Sequence, residues 1–284
     1  SPLSISTETS GPLAAQIEER SAASDDTSTG SFTTSLQQFP TPLDTARGGN
    51  NFTSDSCPKF IDSFLNNATV SSCHAISMLL QNSQSFFNTL KSPSALTAVL
   101  ATACSSPMSA CTEIMSDLAS RMIKDDACGA DYKLGNPTVT QTYAAMIAYQ
   151  PIYQATCLKD PSTNAYCFVQ AYGNNSKPDD AYVYFLPLGM AYPASSRPTC
   201  NQCLRSTMNV FGEAAQAKGQ PLTQTYIPAA LQINLACGPD FVNAAVAVGT
   251  KKAIAAGSRE GRGRPNMELM GYVLMLSLAA SVLG

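Results

Sequence analysis

The side chains with the most obvious chemistry are ten cysteines: Cys57, Cys73, Cys104, Cys111, Cys128, Cys157, Cys167, Cys200, Cys203 and Cys237. An even set confined to one region predicts five disulfides made in an oxidising compartment. Ten cysteines allow 945 pairings, so spacing alone assigns none. Cys200-Asn-Gln-Cys203 is the one motif with reactive potential, because a CxxC at a helix N-terminus favours the thiolate. No βαβ pattern surrounds it and no second CxxC completes a zinc site, so a structural role is expected.

Other catalysis has little to work with. His74 is the only histidine, which rules out a multi-histidine metal site and leaves one residue for any Ser-His-Asp or Cys-His mechanism. Its place after Cys73, near a helix boundary, reads as a surface or capping histidine. A wall-modifying glycosidase or transglycosylase needs two carboxylates across the scissile bond. Glu113, Asp117, Asp179, Asp180, Glu213 and Asp240 are on offer, with Glu113 and Asp117 on one helical face. Tryptophan is absent, although Tyr172, Tyr182 and Tyr184 are available for stacking on sugars. Asp125-Asp126 and Asp179-Asp180 lack the spaced oxygens of a calcium loop. The expectation is no catalytic residue, no metal and no cofactor. Charged residues are 13% of the chain and net charge is −3, which argues against a nucleic-acid partner.

The elements that position these residues fall in a middle region, 57–245. It carries eleven acids and ten bases and is long enough to bury a real core. Phe60, Ile61, Phe64 and Leu65 form one helical face, and Ile76, Leu79, Leu80, Phe86, Phe87 and Leu90 a second apolar run. Ser92-Pro93, Ser106-Pro107 and Asn136-Pro137 are helix starts, each a capping residue followed by proline at the first helical position. Met108, Cys111, Met115, Leu118 and Met122 make a core-side stripe, and Pro151 is expected to end or kink the helix begun at Pro137. A helix through Cys203, Leu204, Met208 and Phe211 stops near Gly219, and a last one, Ile227 to Cys237, stops at Gly238. Tyr166–Tyr172 and Ala181–Leu186 are aromatic and β-branched around a turn-rich Gly173–Asp180, which reads as a hairpin or two extended segments. The predicted fold is mainly α: a disulfide-stapled helical domain with a short β-hairpin or irregular insertion, flanked by disordered N-terminal and C-terminal segments.

Residues 1–56 hold 20 Ser/Thr, net charge −5 and no cysteine, and read as a disordered stalk suited to O-glycosylation. The chain begins at Ser1, which fits removal of a signal peptide or trimming. Asn51, Asn67 and Asn174 begin N-glycosylation sequons. At the other end, Ala253 to Ser258 finishes in small residues, Arg259–Glu268 is a ten-residue polar spacer, and 269–284 is a sixteen-residue apolar tail. A small site, a spacer of ~8–12 residues and a tail of ~10–20 form the glycosylphosphatidylinositol (GPI) attachment pattern. Ala256 is the best attachment residue, then Ala255, then Gly257. The linker and spacer thus run over 246–268. A transmembrane anchor normally needs ~20 apolar residues, and a core helix at this end lacks an evident partner.

Several spaced segments carry a resemblance. They are Cys57-Pro-Lys-Phe, Ser92-Pro-Ser-Ala-Leu-Thr-Ala-Val-Leu, Ala155-Thr-Cys-Leu-Lys-Asp, Tyr166-Cys-Phe, Leu186-Pro-Leu-Gly, Cys200-Asn-Gln-Cys-Leu and Cys237-Gly-Pro-Asp-Phe-Val. Over about 57–243 they resemble a family of filamentous-fungal secreted or GPI-anchored proteins with a cysteine-rich domain of unknown function. The resemblance implies the extracellular face of the plasma membrane or the cell wall, and brings no catalytic residues. The cysteine frame differs from the eight-cysteine fungal haem-binding modules. Ser1 excludes the N-terminal histidine of copper-acquisition proteins.

Three functions follow as expectations. The first is a GPI-anchored surface or wall glycoprotein with a structural or interaction role, held to the membrane by its lipid, with wall polysaccharide as a candidate partner. The second is a lipid or sterol carrier with Met108, Met115, Met122, Phe86 and Phe87 as lining. The third is the glycoside-active enzyme.

Overall fold

The structure, a computed structural model, describes residues 38–45 and 51–252. Eleven α-helices are present among them, with no sheet and only isolated bridges at Lys159–Tyr166 and Ala217–Lys251.

The first helix, α1 (Ser56–Leu65), buries Cys57, Ile61 and Phe64, so the apolar face expected there is the one that packs. The short α2 (Ala68–Ser71) is capped by Asn67, whose Oδ1 accepts from the Thr69 and Val70 amides. A 3-10 turn, Ile76–Met78, and α3 (Gln84–Thr89) follow. The start signal before Pro93 holds: Ser92 caps α4 (Pro93–Cys104) through the Ala95 amide. So does the one before Pro137, where Asn136 caps α7 (Pro137–Ile147) through the Thr138 and Val139 amides. Ser106-Pro107 departs from expectation. Proline itself is the cap residue of α5 (Met108–Met122), and the Ser106 hydroxyl instead donates to the Ser72 carbonyl at 3.1 Å.

Helix α7 ends as expected four residues before Pro151, whose ring and missing N–H act on the carbonyl of Ile147, the last residue of α7. The chain breaks at Ala148, and Pro151 sits in the first turn of α8 (Tyr149–Thr156), where a missing N–H costs no helical bond. Between α5 and α7 lies α6 (Gly129–Lys133). The final pair, α10 (Gln202–Ala215) and α11 (Leu222–Cys237), pack on one another, and α10 also packs on α8. Where α10 meets α11, Gly212 lies so close to Tyr226 that a Cβ would sit 2.7 Å from the phenol oxygen. That oxygen donates to the Asn243 carbonyl at 2.8 Å.

One expectation is corrected. The hairpin does not form. Tyr166–Tyr172 enters α9 (Cys167–Gly173), and Ala181–Leu186 lies within a 3-10 segment, Pro178–Leu188, closed by Gly189 at φ 85°. Among the aromatic residues that read as strand formers, Phe168 and Tyr184 are core residues: Phe168 packs against Tyr172 and Tyr184, each at 4.7 Å between centroids. Burial and the Cys167–Cys203 bond override β propensity, which mostly records how side chains pack.

Residues flanking 57–245 pack on the same body. Residues 38–45 form a strap on the body, with Leu43 only 2% exposed. Asp44 accepts from the Gln84 amide at 2.6 Å, and from the Ser85 amide at 3.0 Å and hydroxyl at 2.7 Å, at the start of α3. Thr53 donates its amide to buried Asp131 at 2.8 Å. At the far end the Gly249 and Lys251 amides donate to the Ala215 and Gln216 carbonyls. Stalk residues 1–37 and 46–50 lie outside the described residues, as do the attachment candidates Ala255, Ala256 and Gly257, the spacer and the apolar tail. Among the described residues no single helix is long and apolar enough to cross a membrane.

Candidate functional site

All ten cysteines are paired, as Cys57–Cys128, Cys73–Cys111, Cys104–Cys157, Cys167–Cys203 and Cys200–Cys237. The CxxC is therefore split. Cys203 ties α10 to α9, while Cys200 ties the start of α10 to the end of α11. No thiol is free among the described residues, and each cysteine of the motif braces a different pair of helices. Three bonds close within 57–157 and two within 167–237.

Each acid has a local task or a solvated setting. Asp179 accepts from the Arg197 amide at 2.6 Å. Asp180 accepts from the Thr199 amide at 2.6 Å, its hydroxyl at 2.8 Å and Asn174 Nδ2 at 2.8 Å. These bonds shape a hollow of about 340 Å³ beside the Cys167–Cys203 bridge, where Asn201 caps α10. Glu113 and Asp117 share a shallow groove of about 590 Å³ between α1, α2 and α5, and Asp117 is paired with Arg121 at 2.9 Å. Glu213 and Asp240 are exposed elsewhere, Asp240 at φ 60°. The structure thus brings together Glu113 with Asp117 and Asp179 with Asp180, and joins neither pair to the remaining acids. Asp125 is ion-paired with Lys133, and no cluster of three metal-ligating side chains occurs among the described residues.

The tyrosines offered for stacking divide. Tyr182 is 39% exposed, whereas Tyr184 is 2% exposed and belongs to the core. Burial pushes the Tyr172 and Tyr184 phenols above their ordinary range.

The sequons differ as well. Asn51 is exposed, and Asn67 is exposed with its Oδ1 committed to the α2 cap. Asn174 is half-buried, and its Nδ2 donates to Asp180 Oδ2 and Thr199 Oγ1.

Of the five residues expected to line a carrier cavity, Met122 and Phe86 are sealed in the core and Phe87 lies at the surface. Met108 is half-buried, and Met115 alone borders an apolar hollow. This hollow, about 350 Å³, lies beneath the strap and is walled by Phe39, Pro40, Phe64, Val70, Met78 and His74 as well. Helix α5 brings Met115, α1 brings Phe64 and α2 brings Val70. His74 is neither a capping nor a freely exposed histidine. It sits at φ 43°, places Nδ1 3.2 Å from Ser106 Oγ, and meets the Phe39 ring edge-on at 4.7 Å. The strap residues are what sequence reasoning missed. The available signal was Phe39-Pro-Thr-Pro-Leu-Asp44, an apolar run inside a Ser/Thr-rich stretch.

The fold and its bonds define a class: an all-helical, fully disulfide-paired domain, compatible with a secreted or extracellular setting. Within that class, residues 38–246 match the domain of unknown function DUF7729, and the chain belongs to that family. No curated protein and no solved structure matches it.

Proposed function

We propose that this chain is a GPI-anchored surface or wall glycoprotein, of the filamentous-fungal type it resembles, with a structural or interaction role and no catalysis. The observation that carries this reading is the C-terminal order of small residues, polar spacer and apolar tail, placed directly after a disulfide-closed domain. Packing through Lys251 supports it further. With attachment at Ala256, only residues 253–256 separate the described domain from the lipid. Four residues reach at most ~14 Å, so the domain stands close to the membrane. The exposed Asn51 and Asn67 suit glycans on its surface.

Phosphatidylinositol-specific phospholipase C should release the full chain from membranes, and a chain lacking 269–284 should appear in the medium. Retention in both experiments overturns the anchor. Measurable turnover of a wall polysaccharide by the purified protein overturns the non-catalytic role.

A further inference from the structure

The hollow beneath the strap has features that core packing alone does not require. Its volume, about 350 Å³, lies at the lower end of the ~300–1,000 Å³ range of small-molecule pockets. No Asp, Glu, Lys or Arg stands among its lining residues. The wall is mostly apolar and uncharged, and two of its members, Met78 and Met115, are unbranched side chains that adapt readily to an occupant. The polar members of the lining are Gln38, Thr41, Ser71 and His74, and His74 is the one ring among them. His74 holds Ser106 through Nδ1, which leaves Nε2 with no hydrogen-bond partner among the described residues.

The backbone is strained at one lining residue and at one residue of the strap outside the lining. His74 lies at φ 43° and Leu43, at the base of the strap, at φ 56°. Left-handed conformations are unfavourable for residues of this size and persist where the surroundings impose them. The strap is also anchored unevenly. Thr41 donates its amide to Ser85 Oγ at 2.9 Å and its carbonyl accepts from Ser83 Oγ at 2.8 Å. Phe39 rests on the His74 ring, and Pro40 has no N–H to donate. The strap is therefore held by hydrogen bonds at 41–44 and by apolar packing alone at Phe39 and Pro40.

We propose that this hollow is a binding site for a neutral apolar alcohol, one hydrocarbon body ending in one hydroxyl. The body contacts Phe39, Phe64, Val70 and the methionines, and the hydroxyl pairs with His74 Nε2. An ionised head is disfavoured because no fixed opposite charge lines the site. A two-chain lipid exceeds the volume. The inference is independent of the anchor, since it concerns only residues of the described domain.

The chain contains no tryptophan. Phe39→Trp in the full chain therefore places a single fluorescent reporter at the mouth of the hollow. Titration with dodecanol and with dehydroergosterol distinguishes a linear alcohol from a sterol. The expected result is a saturable emission change at one equivalent with at least one of the two. Dodecanoate should bind at least tenfold more weakly, and Val70→Phe in the same background should cut alcohol affinity at least tenfold while leaving the thermal midpoint in place. Native mass spectrometry of the wild-type chain with each alcohol should show a one-to-one adduct, which covers the case of a reporter that perturbs the strap. Absence of both saturation and adduct overturns the proposal. So does dodecanoate binding as tightly as the alcohols, or a response that Val70→Phe leaves unchanged.

Discussion

At the scale of single residues, close approach and burial decide what each side chain can do. Gly212 is required because the phenol of Tyr226 occupies the space a Cβ needs, and that phenol is tied to Asn243. Gly212→Ala should lower stability by about 1–3 kcal/mol, the usual cost of overpacking a core. Thermal melts of the two proteins test this, and an unchanged midpoint would contradict the packing described. The gain in helix propensity from alanine, ~1 kcal/mol, acts in the opposite direction and is outweighed only if Tyr226 cannot move. Asn174 illustrates a different limit. A glycan there replaces one of the two Nδ2 hydrogens, yet Nδ2 donates to both Asp180 and Thr199 in the folded domain. Asn51 and Asn67 carry no such conflict.

At the scale of elements, short helices are held by what caps and staples them. A six-residue helix such as α3 is not stable by itself. Ser83 caps it from within, and Asp44 reaches it from the strap with three hydrogen bonds. Asp44→Ala should cost about 1–2 kcal/mol, the worth of a capping carboxylate in a partly exposed setting. Denaturant unfolding should show a lower midpoint. A midpoint equal to wild type would mean that the strap contributes nothing to α3. The disulfides act on the same elements over longer loops, of 36 to 71 residues. Each constrains the unfolded chain by roughly 4 kcal/mol in the chain-entropy account.

At the scale of the whole molecule, one apolar core spans helices from both sets of disulfides, and tyrosines stand within it. Desolvation raises the phenols of Tyr149, Tyr172, Tyr184 and Tyr192, and that of Tyr226 to about 12. A phenol raised in the folded state leaves stability untouched below its unfolded value of 10.0, and withdraws it as pH climbs through the folded one. The protein should therefore keep its stability up to about pH 10 and lose it progressively toward pH 12. Parallel readings of helical circular dichroism and tyrosinate absorbance check this. The buried phenols should ionise together with the loss of helix. Ionisation of every tyrosine at about pH 10 with the helices intact would contradict their burial.

The helical class, the five bridges as a set, and the starts of α4 and α7 were legible because they rest on local signals. Capping side chains, proline at the first helical position and cysteine parity act over a few residues or by simple count. The pairing of the cysteines, the helical state of Tyr166–Leu188 and the attachment of the strap were not legible. Each depends on partners 36 or more residues away, or on burial that overrides local preference. The same holds for the hollow. Its walls come from the strap, α1, α2 and α5, and His74 acquires its place there only when Ser106 and Phe39 are brought to it. The sequence by itself determined which residues bond covalently, where the chain punctuates its helices, and the terminal pattern that suggests an anchor. Only the tertiary structure decided which cysteine meets which, and where an apolar space remains, because long-range packing and not local propensity sets those distances.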